Sequence, residues 1–146
     1  MLSWLGCGVG NDRGEQDGRM RAQYHFRNSA QGLCAWNVRR LVELSKDLVR
    51  ERVPLTAIRE LDEAYWCGGQ DQKLTCRQVV DHARLMLECE LAFPVILSSD
   101  GRVMDGMHRI CKALLQGLEH VEAVRFVCDP EPDYVGVEPD ELPYEE

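Results

Sequence analysis

Apolar positions recur at helical spacing from Trp36 to Val49, where Val38, Leu41, Val42, Leu48 and Val49 fall mostly on one side and Ser45 interrupts the stripe. The run from Val53 to Ile58 is extended, and Pro54 suits it to a sheet edge because proline has no N–H for a central ladder. An acidic loop from Glu60 to Gln72 follows, holding Tyr65-Trp66 and the breakers Gly68-Gly69. Thr75 is placed to cap a second helix from Cys76 to about Glu90, with Val79, Val80, Ala83, Met86 and Leu87 as its buried stripe. Phe93 to Leu97 predicts a strand, Asp100-Gly101 a two-residue hairpin turn, and Arg102 to Met104 the returning strand. Asp105-Gly106 breaks it. A third helix runs from Met107 to Gln116 on Ile110, Ala113 and Leu114, Gly117 stops it, and Val121 to Val127 is a last strand.

The flanks differ. Residues 1–31 are broken by glycines and keep no apolar period, which predicts a flexible lead, with Met20 as a second candidate start. Residues 129–146 hold four of the six prolines, too dense for regular structure, though Tyr134, Val135, Val137, Leu142 and Tyr144 give them apolar content with which to dock. The pattern predicts one compact α/β domain over residues 32–128, a small mixed sheet with packed helices, between that lead and an acidic tail.

Composition sharpens this only where it is mapped. The net charge of -8 is localised: eight of the 25 acids lie in residues 129–146, which have no Lys or Arg, and the remaining 17 acids balance 17 bases. A neutral body lacks the basic footprint of a stand-alone nucleic-acid binder. Seven cysteines form no CxxC pair and no zinc-finger spacing, no secretory signal precedes them, and no apolar run is long enough for a bilayer. Reduced thiols in a cytoplasmic protein are the expectation.

The chemistry concentrates in Asp105-Gly106-Met107-His108-Arg109. A strand that ends in a glycine turn and opens a helix presents free backbone N–H groups and the positive end of the helix dipole, an anion site. Gly106 lets a phosphate approach without a Cβ in the way. His108 and Arg109 sit in the first turn, where Arg bonds phosphate oxygens in pairs, and Asp105 is placed to hold a metal ion or accept a proton. A first-turn arginine also serves structures that bind nothing, pairing with a neighbouring carboxylate. Without an anion nearby it opposes the helix dipole. Thr75 and Arg77 at the start of the second helix are a lesser candidate for phosphate. His82, with Asp81 and Arg77, either lines a cleft or is a partly buried, hydrogen-bonded histidine. Tyr65-Trp66 either stacks on a base or anchors its loop.

The motif, set between a hairpin and a helix, resembles the phosphate-binding motif of the ParB/sulfiredoxin-like superfamily over residues 51–127. Sulfiredoxins have Gly-Cys-His-Arg at this turn; Met107 replaces their nucleophile, so sulfinic acid reduction is not expected. The chromosome-partition branch has a Gly-Glu-Arg-Arg type box that binds a cytidine nucleotide, matched here at Gly106 and Arg109. The free-serine kinase branch has Asp-Gly-His-His-Arg, which this chain matches at four of five positions. That resemblance implies ATP or ADP with Mg2+. Gly106, Met107, His108 and Arg109 would hold phosphate, Asp105 would position the metal or the acceptor, and Glu60 would act as base. The expected function is nucleotide binding, with phosphoryl transfer to a small hydroxyl substrate as its catalytic form. A nucleotide-switched binding module and a partition- or nuclease-related protein are the alternatives, and no membrane partner is expected.

Overall fold

Alternation along three strands builds the centre. The structure, a computed structural model, describes residues 23–66 and 73–144. Strand β1 (Tyr24–Ser29) and β2 (Gly32–Asn37) form an antiparallel hairpin, and helix α1 (Val38–Ser45) follows at once. Then come β3 (Glu51–Pro54), two 3-10 turns at Leu55–Ala57 and Arg59–Asp62, α2 (Cys76–Glu88), β4 (Val95–Leu97), β5 (Val103–Asp105), α3 (Met107–Leu115), β6 (His120–Arg125) and β7 (Tyr134–Val135). The larger sheet has the order β3-β6-β4-β5, with β4 and β6 parallel and the other pairs antiparallel. The smaller sheet is β1-β2-β7. The fold is α/β, as the periodicity predicts.

Because strand side chains alternate, the larger sheet buries both faces. Val53, Val95, Leu97, Val103, Val121 and Ala123 face Met107, Ile110 and Ala113 of α3. Ile96, Met104, Val124 and Phe126 face Leu41 of α1 and Trp36 of β2. Pro54 lies on the edge strand, as expected.

The predicted lead needs correction, and the tail docks as its apolar content allows. Residues 24–29 of the expected lead are β1, with Tyr24, His25 and Phe26 all buried; residues 1–22 lie outside the described residues. The expected tail is docked. Strand β7 pairs with β2, Leu142 is buried beside Tyr24 and Phe26, and the Tyr24 hydroxyl donates to the Pro143 carbonyl at 2.6 Å. The Trp36 indole donates to the Pro130 carbonyl at 2.7 Å, and Asp133 accepts from the Asn37 N–H at 2.8 Å and pairs with Arg40 at 3.1 Å. The prolines interrupt the segment, but these bonds fix it from outside.

Two helix stripes also shift. In α1, Leu41 and Ser45 are buried and Val42 is exposed, so Ser45 belongs to the buried face; its hydroxyl donates to the Val42 carbonyl. In α2, Val79, Val80, Ala83 and Leu87 are exposed, and the side turned inward is His82, Leu85, Met86 and Cys89. That set has its own helical spacing, one step around from the apolar stripe, and it packs on α3. Likewise Leu114 of α3 is exposed while Ile110 and Ala113 are buried. The hairpin turn is longer than predicted: Ser98 still pairs with Arg102, and Gly101 takes φ 85° to close a three-residue loop.

Tyr24 tests the corrected boundary. Its ring meets Tyr134 and Tyr144 edge-on, and burial followed by those two neighbours pushes its phenol up to about 12. Tyr24→Ala is expected to cost about 3–5 kcal/mol in urea unfolding, and Tyr24→Phe about 1–2 kcal/mol for the orphaned Pro143 carbonyl. A flexible lead would give no change in either.

Candidate functional site

Gly106 governs the turn between β5 and α3. Its φ of 109° and ψ of 20° are left-handed, a region that glycine enters without steric cost. Space is tight as well: a Cβ here would stand 2.9 Å from Arg109 Nη2 and 3.1 Å from Val95 Cγ2, so the guanidinium would have to shift. The cap carries no side-chain hydrogen bond, and the first helical bond runs from the Ile110 N–H to the Gly106 carbonyl at 3.1 Å. Helical geometry therefore gives the N–H groups of Met107, His108 and Arg109 no partner within α3.

The Arg109 guanidinium lies under this glycine. Nη2 donates to Asp105 Oδ2 at 2.9 Å and to the Pro94 carbonyl at 3.4 Å, while Nε is buried without a partner among the described residues. The opposition between a first-turn cation and the helix dipole is thus answered from within the chain, by Asp105 just ahead of the helix. Asp105 is engaged in holding Arg109, so a magnesium ion would compete with the guanidinium for it. No group of three His, Cys, Asp or Glu side chains is placed to hold a metal among the described residues.

His108 is tied to α2. Its Nε2 lies 2.9 Å from Nδ1 of His82, so one ring donates to the other. Trp66 stacks on both rings, at 4.1 Å from His82 and 4.8 Å from His108. Burial, then His82 and Arg109, lower His108 from the ordinary 6.5 to about 4. Burial lowers His82 as well, against the pull of Asp81. His108 at neutral pH is therefore an uncharged hydrogen-bonding group with one nitrogen already engaged.

The remaining sequence candidates scatter. The side chain of Met107 is buried in the core, so it brings only its backbone N–H to the turn. Glu60 is buried, but its Oε2 accepts from the Val103 N–H at 2.7 Å and its Oε1 lies 3.8 Å from Arg102, so none of its recorded partners belongs to the turn. Thr75 is engaged in a capping box with Gln78, at 3.1 and 2.9 Å, and Arg77 is exposed beside it. Cys34, Cys76, Cys89, Cys111 and Cys128 are free, and burial raises Cys89 and pushes Cys111 to about 11, the wrong direction for a nucleophile. Cys7 and Cys67 lie outside the described residues. Sequence reasoning missed the His82–His108 link, because the two rings meet across helices 26 residues apart. His25 was missed too, hidden in a stretch taken for a lead.

No protein-family model, curated protein or solved structure matches this chain.

Two measurements probe the turn. Gly106→Ala is expected to cost about 1–3 kcal/mol, from the left-handed backbone alone. The histidine pair predicts a pH dependence. Both rings bind a proton more readily in the unfolded chain, so their stability is complete above about 6.5 and is lost as pH falls toward 4. Replacing His108 by Asn should flatten that decline in urea unfolding across the interval; an unchanged slope would contradict the buried neutral pair.

Proposed function

We propose that the chain binds a nucleotide through its phosphates at the start of α3. The observation that carries this reading is the helix opening itself: a left-handed glycine without a side-chain cap, followed by three N–H groups that α3 leaves unpaired. The Arg109 guanidinium, partly exposed and held by Asp105, adds a positive group beside that opening. Asp105 holds the guanidinium in place, and His108, braced by His82 and Trp66, offers a neutral ring at the rim. The four-of-five match to the kinase-type motif supports the same ligand class.

Binding is better supported than transfer. A phosphotransferase needs a base at the acceptor hydroxyl, and Glu60 is committed to the Val103 amide. Phosphoryl transfer to a small hydroxyl compound therefore remains the narrower form of the proposal, with Asp105 as the nearest carboxylate.

The test is thermal unfolding with ATP, ADP and CTP, each with and without magnesium, alongside assays for nucleotide turnover with hydroxyl acceptors. At a hundredfold excess over Kd, a bound nucleotide raises stability by about 2.7 kcal/mol. Arg109→Ala is expected to lower affinity by about tenfold or more, and also to lower unliganded stability because Asp105 loses its partner. Arg109→Lys should recover part of the affinity. If no nucleotide moves the wild-type transition, the proposal is wrong.

A further inference from the structure

We infer that a cavity on the other side of the hairpin, between β1 and the segment after β3, is a second ligand site, one that takes a small organic cation of the amidinium or ammonium type. The cavity holds about 350 Å³, and His25, Arg27, Glu60, Glu63 and Arg102 are among its walls. No residue from 105 to 109 lines it, so it stands apart from the α3 turn and from the function proposed there.

Two buried groups in its walls lack hydrogen bonds, although Glu60 Oε1 keeps a long ion pair with Arg102 at 3.8 Å. Neither ring nitrogen of His25 has a hydrogen bond among the described residues, and neither does Glu60 Oε1, although both side chains are more than nine-tenths buried. Native structures pair nearly all such groups, so unpaired ones lining a cavity mark where something polar sits. The other charges around the cavity are already spent. Arg102 meets both oxygens of Glu63, at 2.8 and 2.9 Å. Asp100 accepts from the Ser98 hydroxyl and the Arg102 N–H. Arg27 is directed to Ser98 and Asp129 and lies over the Trp36 ring.

What remains for a ligand is a Glu60 oxygen that shares the single Arg102 cation with Glu63, and one imidazole. Burial, and then Arg27, hold His25 at about 3, so the ring is neutral and keeps a lone pair to accept with. Two acceptors, one anionic, call for a ligand that donates from a positive group. An anion would meet Glu60, Glu63 and Asp100 instead.

The experiment uses the full chain and a matched pair of probes: benzamidine, a flat cation at neutral pH, and benzamide, its neutral analogue. Binding is followed by NMR at the Val103 amide and the His25 ring. Benzamidine is expected to shift both saturably, and benzamide to bind at least about tenfold more weakly, as loss of a charge-assisted bond requires. Glu60→Gln keeps an acceptor for the Val103 N–H and removes the charge, and should bring benzamidine down to the benzamide level. His25→Phe keeps a ring and removes the acceptor, and should weaken benzamidine several-fold; it decides the matter if Glu60→Gln does not fold. Equal binding of the two probes, binding of neither, or benzamidine affinity unchanged in the folded variants would each overturn the site and leave a water-filled cavity.

Discussion

Strands β4 and β6 pair in parallel, and that pairing constrains everything around it. Parallel neighbours need a crossover, so the chain must leave the sheet after the β4–β5 hairpin, cover a face, and return. Helix α3 makes that passage, with Ile110 and Ala113 fully buried on the sheet. The departure point is Gly106, where direction changes within one residue in a left-handed conformation. The same geometry that closes the fold opens the helix without a cap. A structural necessity and a candidate anion site are thus one feature of the backbone.

Around that turn, charge is handled by short-range pairing. Asp105 precedes the helix and Arg109 follows by one turn, so the pair spans the glycine and fixes the guanidinium beside it and the Pro94 carbonyl. A phosphate arriving at the free N–H groups would meet a donor already oriented, with no side chain to order first. The His82–His108 pair under Trp66 extends this rigidity from α3 to α2. On the far side of the hairpin the small sheet, including β7 from the acidic segment, buries His25 over a separate cavity.

How much of this was legible follows from range. Helix starts at Thr75 and Gly106, the edge position of Pro54 and the stop at Gly117 depend on neighbours a few residues away, and the structure has all of them. The motif around Arg109 was legible for the same reason, and so was its alternative of a carboxylate partner. The inward face of α2 was not. Four exposed apolar residues outweigh the stripe that packs, and the key inward residue is a histidine whose partner lies on another helix. Strand β1 was lost because its pairing with β2 shows only in two apolar residues, Tyr24 and Phe26, and its packing depends on Tyr134, Leu142 and Tyr144 more than a hundred residues later. Glu60 stood out only as the base that the resemblance implies, and the sequence offers no way to foresee that it is buried with the Val103 N–H bound to it.

The central claim is that the first N–H groups of α3 bind phosphate. Amide NMR on the full chain, titrated with inorganic triphosphate, addresses it without choosing a nucleotide. The account predicts large, saturable downfield shifts at Met107, His108 and Arg109, with the capped start of α2 at Cys76–Gln78 unmoved. Shifts spread evenly over exposed basic residues, or none at the α3 turn, would contradict it.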